Sequence, residues 1–204
     1  MKYCIFGGSF DPPHEGHRHL ARTAFTSLQL DRVFWVPAQD PPHKTRPGTP
    51  FHQRVAMTRL AIAAMSGHSV SDLENHLPSP SYSLNTILAM KAEYGAEHAW
   101  HFLIGADNWA IFPSWHRPQD VLKEVTLVVY PRKGDLLGTL PDGVMRLDVP
   151  EIPGESRGIR AAIAATGNLE KAGVLPEIRG YIREQGLYGF GKGSGPGTGK
   201  ADAN

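Results

Sequence analysis

The chain has 204 residues, 41% hydrophobic and 20% charged, with a formal net charge of +1, enough to bury a proper core as one domain. So even a charge balance argues against an extended basic surface for nucleic acid or anionic membrane, and no apolar run approaches the roughly 18–20 residues of a membrane span. The single cysteine, Cys4, permits no intrachain disulfide and lies in an apolar run, so core packing and a reducing, cytoplasmic compartment are expected.

In chain order, Tyr3-Cys4-Ile5-Phe6 predicts a first strand, close enough to the N-terminus to leave no room for a signal peptide. It breaks at Gly7-Gly8 and turns through Pro12-Pro13. It then enters a helix at Gly16-His17, whose apolar residues Leu20, Ala21, Ala24, Phe25 and Leu28 recur at helical spacing. Free backbone N–H groups and the positive dipole end at such a helix start attract phosphate. Val33 to Val36 predicts a second strand, followed by a long basic loop, 37–50, containing Lys44 and Arg46. A loop of this length inside a compact domain suits a binding lid.

Phe51 to Met65 predicts a helix, Val70 marks a short strand, and Pro78 to Ser83 is a rigid entry to a further helix stopped by Gly95. Ala99 to Ile104 predicts a strand ending at Gly105-Ala106-Asp107, and an aromatic segment runs from Trp109 to Trp115. A short helix near 118–123, a strand over 125–130 and a last strand over 144–149 follow. Two short helices, 157–165 and 176–185, precede Leu187-Tyr188-Gly189, and the glycine-rich stretch 191–204 is expected to be a flexible tail. Continuously apolar strands alternating with helices predict an α/β fold: a Rossmann-like, doubly wound parallel sheet with a small C-terminal helical part. One nucleotide-binding domain over 1–190, its helical part from about 155, is the expected division. Ligands in such sheets bind beyond the strands' carboxyl ends, where Gly7-Gly8 falls.

Gly-Ser-Phe-Asp-Pro-Pro-His-Glu-Gly-His at 8–17 resembles the signature of the nucleotidyltransferase superfamily. Pro-Pro-His-Lys at 41–44, Pro-Ser-Tyr-Ser at 80–83, Ile-Gly-Ala-Asp at 104–107, Phe-Pro-Ser-Trp at 112–115 and the close at 181–189 are similar to one branch. That branch is the bacterial nicotinate-nucleotide adenylyltransferases, which join ATP to nicotinate mononucleotide, giving the deamido dinucleotide and pyrophosphate. The resemblance covers residues 2 to 189.

The resemblance implies that ATP is held by Gly7, Gly8, Ser9, Phe10, His14, His17, Gly105, Asp107, Ser156, Arg157 and Arg160, with His14, His17 and Arg160 acting on the phosphates. Lys44 and Arg46, Tyr82, Ser83 and Trp115 would bind nicotinate mononucleotide. Ser81 reads as the cap of the helix that opens there, leaving the Tyr82 and Ser83 N–H groups for the nicotinate carboxylate. Magnesium would arrive with ATP, held by phosphates and water; His14 and His17 alone lack a third ligand for a protein-bound metal. No nucleic-acid or membrane partner is implied, and homo-oligomerisation is left open. The family's Ile-Ser-Ser-Thr-x-x-Arg appears here as Gly-Glu-Ser-Arg-Gly-Ile-Arg at 154–160. Glu155 and Arg157 thus replace hydroxyl residues, which keeps a nucleotide-binding protein without turnover as the alternative.

Overall fold

The computed structural model describes residues 1–42, 47–131, 137–150 and 154–191. Lys44, Arg46 and nearly all of the expected tail lie outside them. The element order begins β1 (Lys2–Gly8), α1 (Glu15–Ser27), β2 (Arg32–Pro37), α2 (Phe51–Ile62), β3 (His68–Val70), α3 (Ser83–Tyr94) and β4 (Ala99–Gly105). It continues with α4 (Ala106–Ile111), α5 (Pro118–Glu124), β5 (Thr126–Tyr130), β6 (Val144–Arg146), α6 (Ser156–Thr166) and α7 (Pro176–Glu184). Short 3-10 turns occupy Leu73–His76, Phe112–Ser114 and Leu187–Gly189.

All six strands pair in parallel in the order β3-β2-β1-β4-β5-β6. The order reverses between β1 and β4, so the crevice beyond their carboxyl ends is the switch point. Side chains alternate between two cores, as a strand covered on both faces requires. Cys4, Phe6, Val33 and Trp35 join α1, α2, α6 and α7 on one face. Ile5, Phe34, Val36, Phe102 and Ile104 join α3 and α5 on the other. Burial pushes the Cys4 thiol up to about 12, so it packs as a small apolar residue and does not ionise near neutral pH.

Two local expectations, the last strand and the Ser81 cap, are corrected, and the aromatic segment gains a structure. The aromatic segment after β4 coils into α4 and a 3-10 turn, because Trp109 and Phe112 stack at 5.4 Å against the core under that sheet face. The last strand is confined to Val144–Arg146, its Arg146 already exposed at the sheet edge. Ser81 does not cap α3: Tyr82 does, while the Ser81 hydroxyl accepts from the Asp40 amide at 3.1 Å. Ser81 is held instead by the backbone of the loop after β2, which its own amide meets again at the Asp40 carbonyl, 2.9 Å away. No helix among the described residues is long and apolar enough to cross a membrane.

Candidate active site

A crevice of 1220 Å³ opens over the carboxyl ends of β1, β4 and β5. Single drug-sized ligands occupy roughly 300–1,000 Å³, so this volume suits two ligands side by side. Its floor is the turn between β1 and α1. Phe10 takes a positive φ of 47° there and drives its ring inward against Phe6, Trp35 and His17. It is 1% exposed, so its side chain supports the site from below. A methyl group on Gly8 would lie 2.9 Å from that ring, which is why the strand must end in glycine.

His14 caps α1 in extended geometry and is buried, while His17, three residues on, is half-buried. The His14 backbone amide donates to Nδ1 of His17 at 3.2 Å. An amide can only donate, so Nδ1 of His17 carries the lone pair and its proton sits on Nε2. The two rings lie 3.7 Å apart between centroids, tilted by 33°. The sequence spacing thus yields one donor of fixed tautomer at a helix N-terminus, held between aromatic rings.

The opposite wall is α6. Gly154, just before it, takes φ +105, and a methyl group there would stand 4.0 Å from His14. The bend lets the Ser156 hydroxyl donate to the Pro12 carbonyl at 2.9 Å and an Arg160 Nη1 to the Asp11 carbonyl at 2.6 Å. Both residues line the crevice while gripping the turn below it. Arg157 is exposed on the same wall. The Glu155 side chain lies along the first turn of its own helix, with Cγ 3.6 Å from where a Gly158 methyl would stand.

On the β4 side, Gly105 caps α4 and Asp107 occupies its first turn, exposed at the crevice. A methyl on Gly105 would run into the Asp107 carboxylate, which folds over the strand end. The far end is the N-terminus of α3. No side chain caps it; the Tyr82 amide donates to the Pro80 carbonyl at 2.8 Å and the Asn85 amide to the Tyr82 carbonyl at 2.9 Å, so the Ser83 and Leu84 amides are the ones left toward an anion. Tyr82 stacks on His116 at 4.4 Å beside it. Trp115 packs on Phe112 at 5.3 Å and on the edge of Phe102 at 6.3 Å.

Every candidate residue except Lys44 and Arg46, which are not described, lines this one crevice. Sequence reasoning missed His116, whose stacking on Tyr82 depends on a turn between α4 and α5 that periodicity does not reveal. It also missed Glu74, from the 3-10 turn Leu73–His76. Glu74 is buried at the crevice edge, accepting from the Thr86 hydroxyl at 2.8 Å and the Gln39 amide at 2.9 Å. Burial raises its pKa, and those hydrogen bonds together with Arg54 oppose the rise. Among the described residues, no group of three or more His, Cys, Asp or Glu is placed to hold a metal.

Residues 5–168 match the cytidylyltransferase-like family. A protein of Solibacter usitatus, named "Probable nicotinate-nucleotide adenylyltransferase", is 40% identical over 191 residues, covering 92% of this chain and all of its own. One of Exiguobacterium sibiricum with the same name is 37% identical over 191 residues, 92% of this chain and 99% of its own. Among solved structures, the nicotinic acid mononucleotide adenylyltransferase of Plasmodium falciparum complexed with NaAD superposes with a TM-score of 0.73. It is 19% identical, over 94% of this chain and 99% of that one, and so attests the fold.

Proposed function

The chain belongs to the cytidylyltransferase-like family and, within it, to the nicotinate-nucleotide adenylyltransferases, and from that membership we propose how its crevice divides the work. The chain transfers AMP from ATP to nicotinate mononucleotide, giving nicotinate adenine dinucleotide and pyrophosphate. The triphosphate of ATP lies over the α1 N-terminus, between His14 and His17 on one side and Arg157 and Arg160 on the other. Asp107 accepts from the ribose hydroxyls. Nicotinate mononucleotide lies toward α3, its carboxylate at the open helix end formed by Tyr82 and Ser83 and its ring against Trp115. Lys44 and Arg46, outside the described residues, are assigned to its phosphate by the family resemblance alone.

The observation that carries this reading is the joining of two anion-seeking helix ends, those of α1 and α3, in one crevice of 1220 Å³. The attacking phosphate has a second pKa of about 6 and is already largely dianionic at neutral pH. No side chain has to act as a base. What the protein must do is align two polyanions and stabilise charge on the transferred phosphoryl group and the departing pyrophosphate. The Nε2–H of His17 suits that role, because the His14 amide on Nδ1 fixes which nitrogen faces the ligand. Magnesium would enter as part of the ATP substrate complex, held by phosphates and water. The buried, reduced Cys4 suits a cytoplasmic enzyme.

A pyridine ring glycosylated at nitrogen is cationic, and tryptophan offers the best face for a cation. In a pyrophosphate-release assay with ATP, magnesium and nicotinate mononucleotide, the unaltered chain turns over. Trp115→Ala raises the KM for nicotinate mononucleotide about 10–30-fold, the equivalent of ~2 kcal/mol, and leaves the KM for ATP nearly unchanged. Equal loss for both substrates would remove Trp115 from the pyridine site.

A further inference from the structure

The last described turn of the chain, Leu187–Gly189, reaches back to the underside of the phosphate crevice. The Tyr188 hydroxyl donates to Oδ1 of Asp11 at 2.8 Å and lies 3.7 Å from Sδ of the buried Met57 on α2. Tyr188 has φ 58° and ψ 26°, a left-handed conformation uncommon for a bulky residue, between Gly186 at φ +59° and Gly189 at φ +77°. Such outliers gather where a fold spends backbone freedom to aim one side chain. Here the aim is the turn that carries His14 and His17.

Asp11 is 4% exposed. A carboxylate so near a triphosphate site would repel its ligand unless held away, and Asp11 is held away: Tyr188 takes its oxygen and Arg54 stands close enough to interact with its charge. Arg54 is itself 1% exposed and bridges two backbones, donating from Nη1 to the Ser9 carbonyl at 2.8 Å and from Nε to the Thr49 carbonyl at 3.1 Å. Asp11, Thr49, Arg54 and Tyr188 thus form one buried polar cluster with two outlets. One is the turn between β1 and α1, which holds ATP. The other is the base of the loop that carries Lys44 and Arg46.

We propose that Tyr188 is a positioning residue: through Asp11 and Arg54 it sets the ATP-binding turn against the loop for the second nucleotide. The C-terminal turn therefore governs alignment of the two substrates for in-line attack and contributes little to binding either one alone. The inference rests on the adenylyltransferase reading and adds to it a dependence on the far end of the chain.

The test uses the full chain with Tyr188→Phe, which removes one hydroxyl and keeps the ring. Turnover is expected to fall on the order of 10–100-fold, the scale for a misplacement near 1 Å, while equilibrium Kd values for ATP and for nicotinate mononucleotide, each measured alone, stay within about 3-fold. A rate within about 2-fold of the unaltered chain overturns the proposal, as does a loss of ATP affinity that matches the loss of turnover. Should Tyr188→Phe fail to fold, Asp11→Ala removes the acceptor of the Tyr188 hydroxyl from the other side and must show the same split between turnover and binding. An unaltered chain that releases no pyrophosphate would remove the adenylyltransferase reading. An active one unaffected by either substitution would remove only the role of Tyr188.

Discussion

His17→Ala is expected to lower kcat by ~10²–10³-fold, the scale for removing one preorganised donor from a developing oxyanion. Three features make this donor hard to replace. It stands at the third position of α1, where the dipole and the free N–H groups already favour phosphate. Its tautomer is fixed by the His14 amide, so Nε2 always presents a proton. Its ring is wedged between His14 at 3.7 Å and Phe10 at 5.1 Å, so it meets the ligand without having to be ordered first. Because the gain belongs to the transition state, kcat and kcat/KM for ATP should fall together, with KM moving less than about 3-fold. Steady-state kinetics at saturating nicotinate mononucleotide checks this, and near-normal turnover would take the role away from His17.

Arg54→Met is expected to cost on the order of 2–4 kcal/mol of folding stability, the scale for leaving buried acceptors without a donor and a buried acid without its counter-charge. Methionine keeps much of the side-chain stem, so the loss reports the guanidinium and not an empty cavity. The Ser9 and Thr49 carbonyls lose their donor, and Glu74 and Asp11 lose a nearby cation. Burial pulls the Arg54 guanidinium below its ordinary pKa, and Asp11, Tyr188 and Glu74 work against that pull. The residue is therefore held in place by its acidic surroundings as much as it holds them. For a chain of this length the thermal midpoint should drop by roughly 4–16 °C, measured by circular dichroism with no ligand present. A midpoint shift under about 2 °C would mean that water satisfies those carbonyls and that the cluster is not stability-bearing.

Much of the fold is legible in the residues because the strands are so uniformly apolar. Cys4-Ile5-Phe6 and Val33 to Val36 each feed both cores, which only a sheet covered on two faces allows. The α1 turn is equally legible, since paired glycines, two prolines and a histidine at the helix start leave few local structures open. The polar cluster beneath it was not. Arg54 sits on a helix whose alanines blur the apolar face, and nothing local distinguishes a buried arginine from a solvated one. Its partners lie 45 residues before it and 134 after it, at Ser9 and Tyr188, and only the closed fold brings them together. Ser81 shows the same limit at shorter range: the cap assignment followed from sequence position, but the loop after β2 claimed its hydroxyl first. At 154–160 the two replacing residues, Glu155 and Arg157, both line the crevice. Glu155 lies along its own helix, and Ser156 and Arg160, which match the family pattern, both grip the turn between β1 and α1.

The most direct test supplies ATP and magnesium with nicotinate mononucleotide or nicotinamide mononucleotide and follows pyrophosphate together with the dinucleotide formed. An open helix end at α3 favours a carboxylate by roughly 0.3–2 kcal/mol and a direct charge-assisted hydrogen bond adds to it, so the account predicts at least about 10-fold higher kcat/KM for the acid than for the amide. Equal rates with the two acceptors would contradict the placement of the carboxylate at Tyr82 and Ser83, and nucleotide binding with no pyrophosphate from either would contradict the enzyme itself.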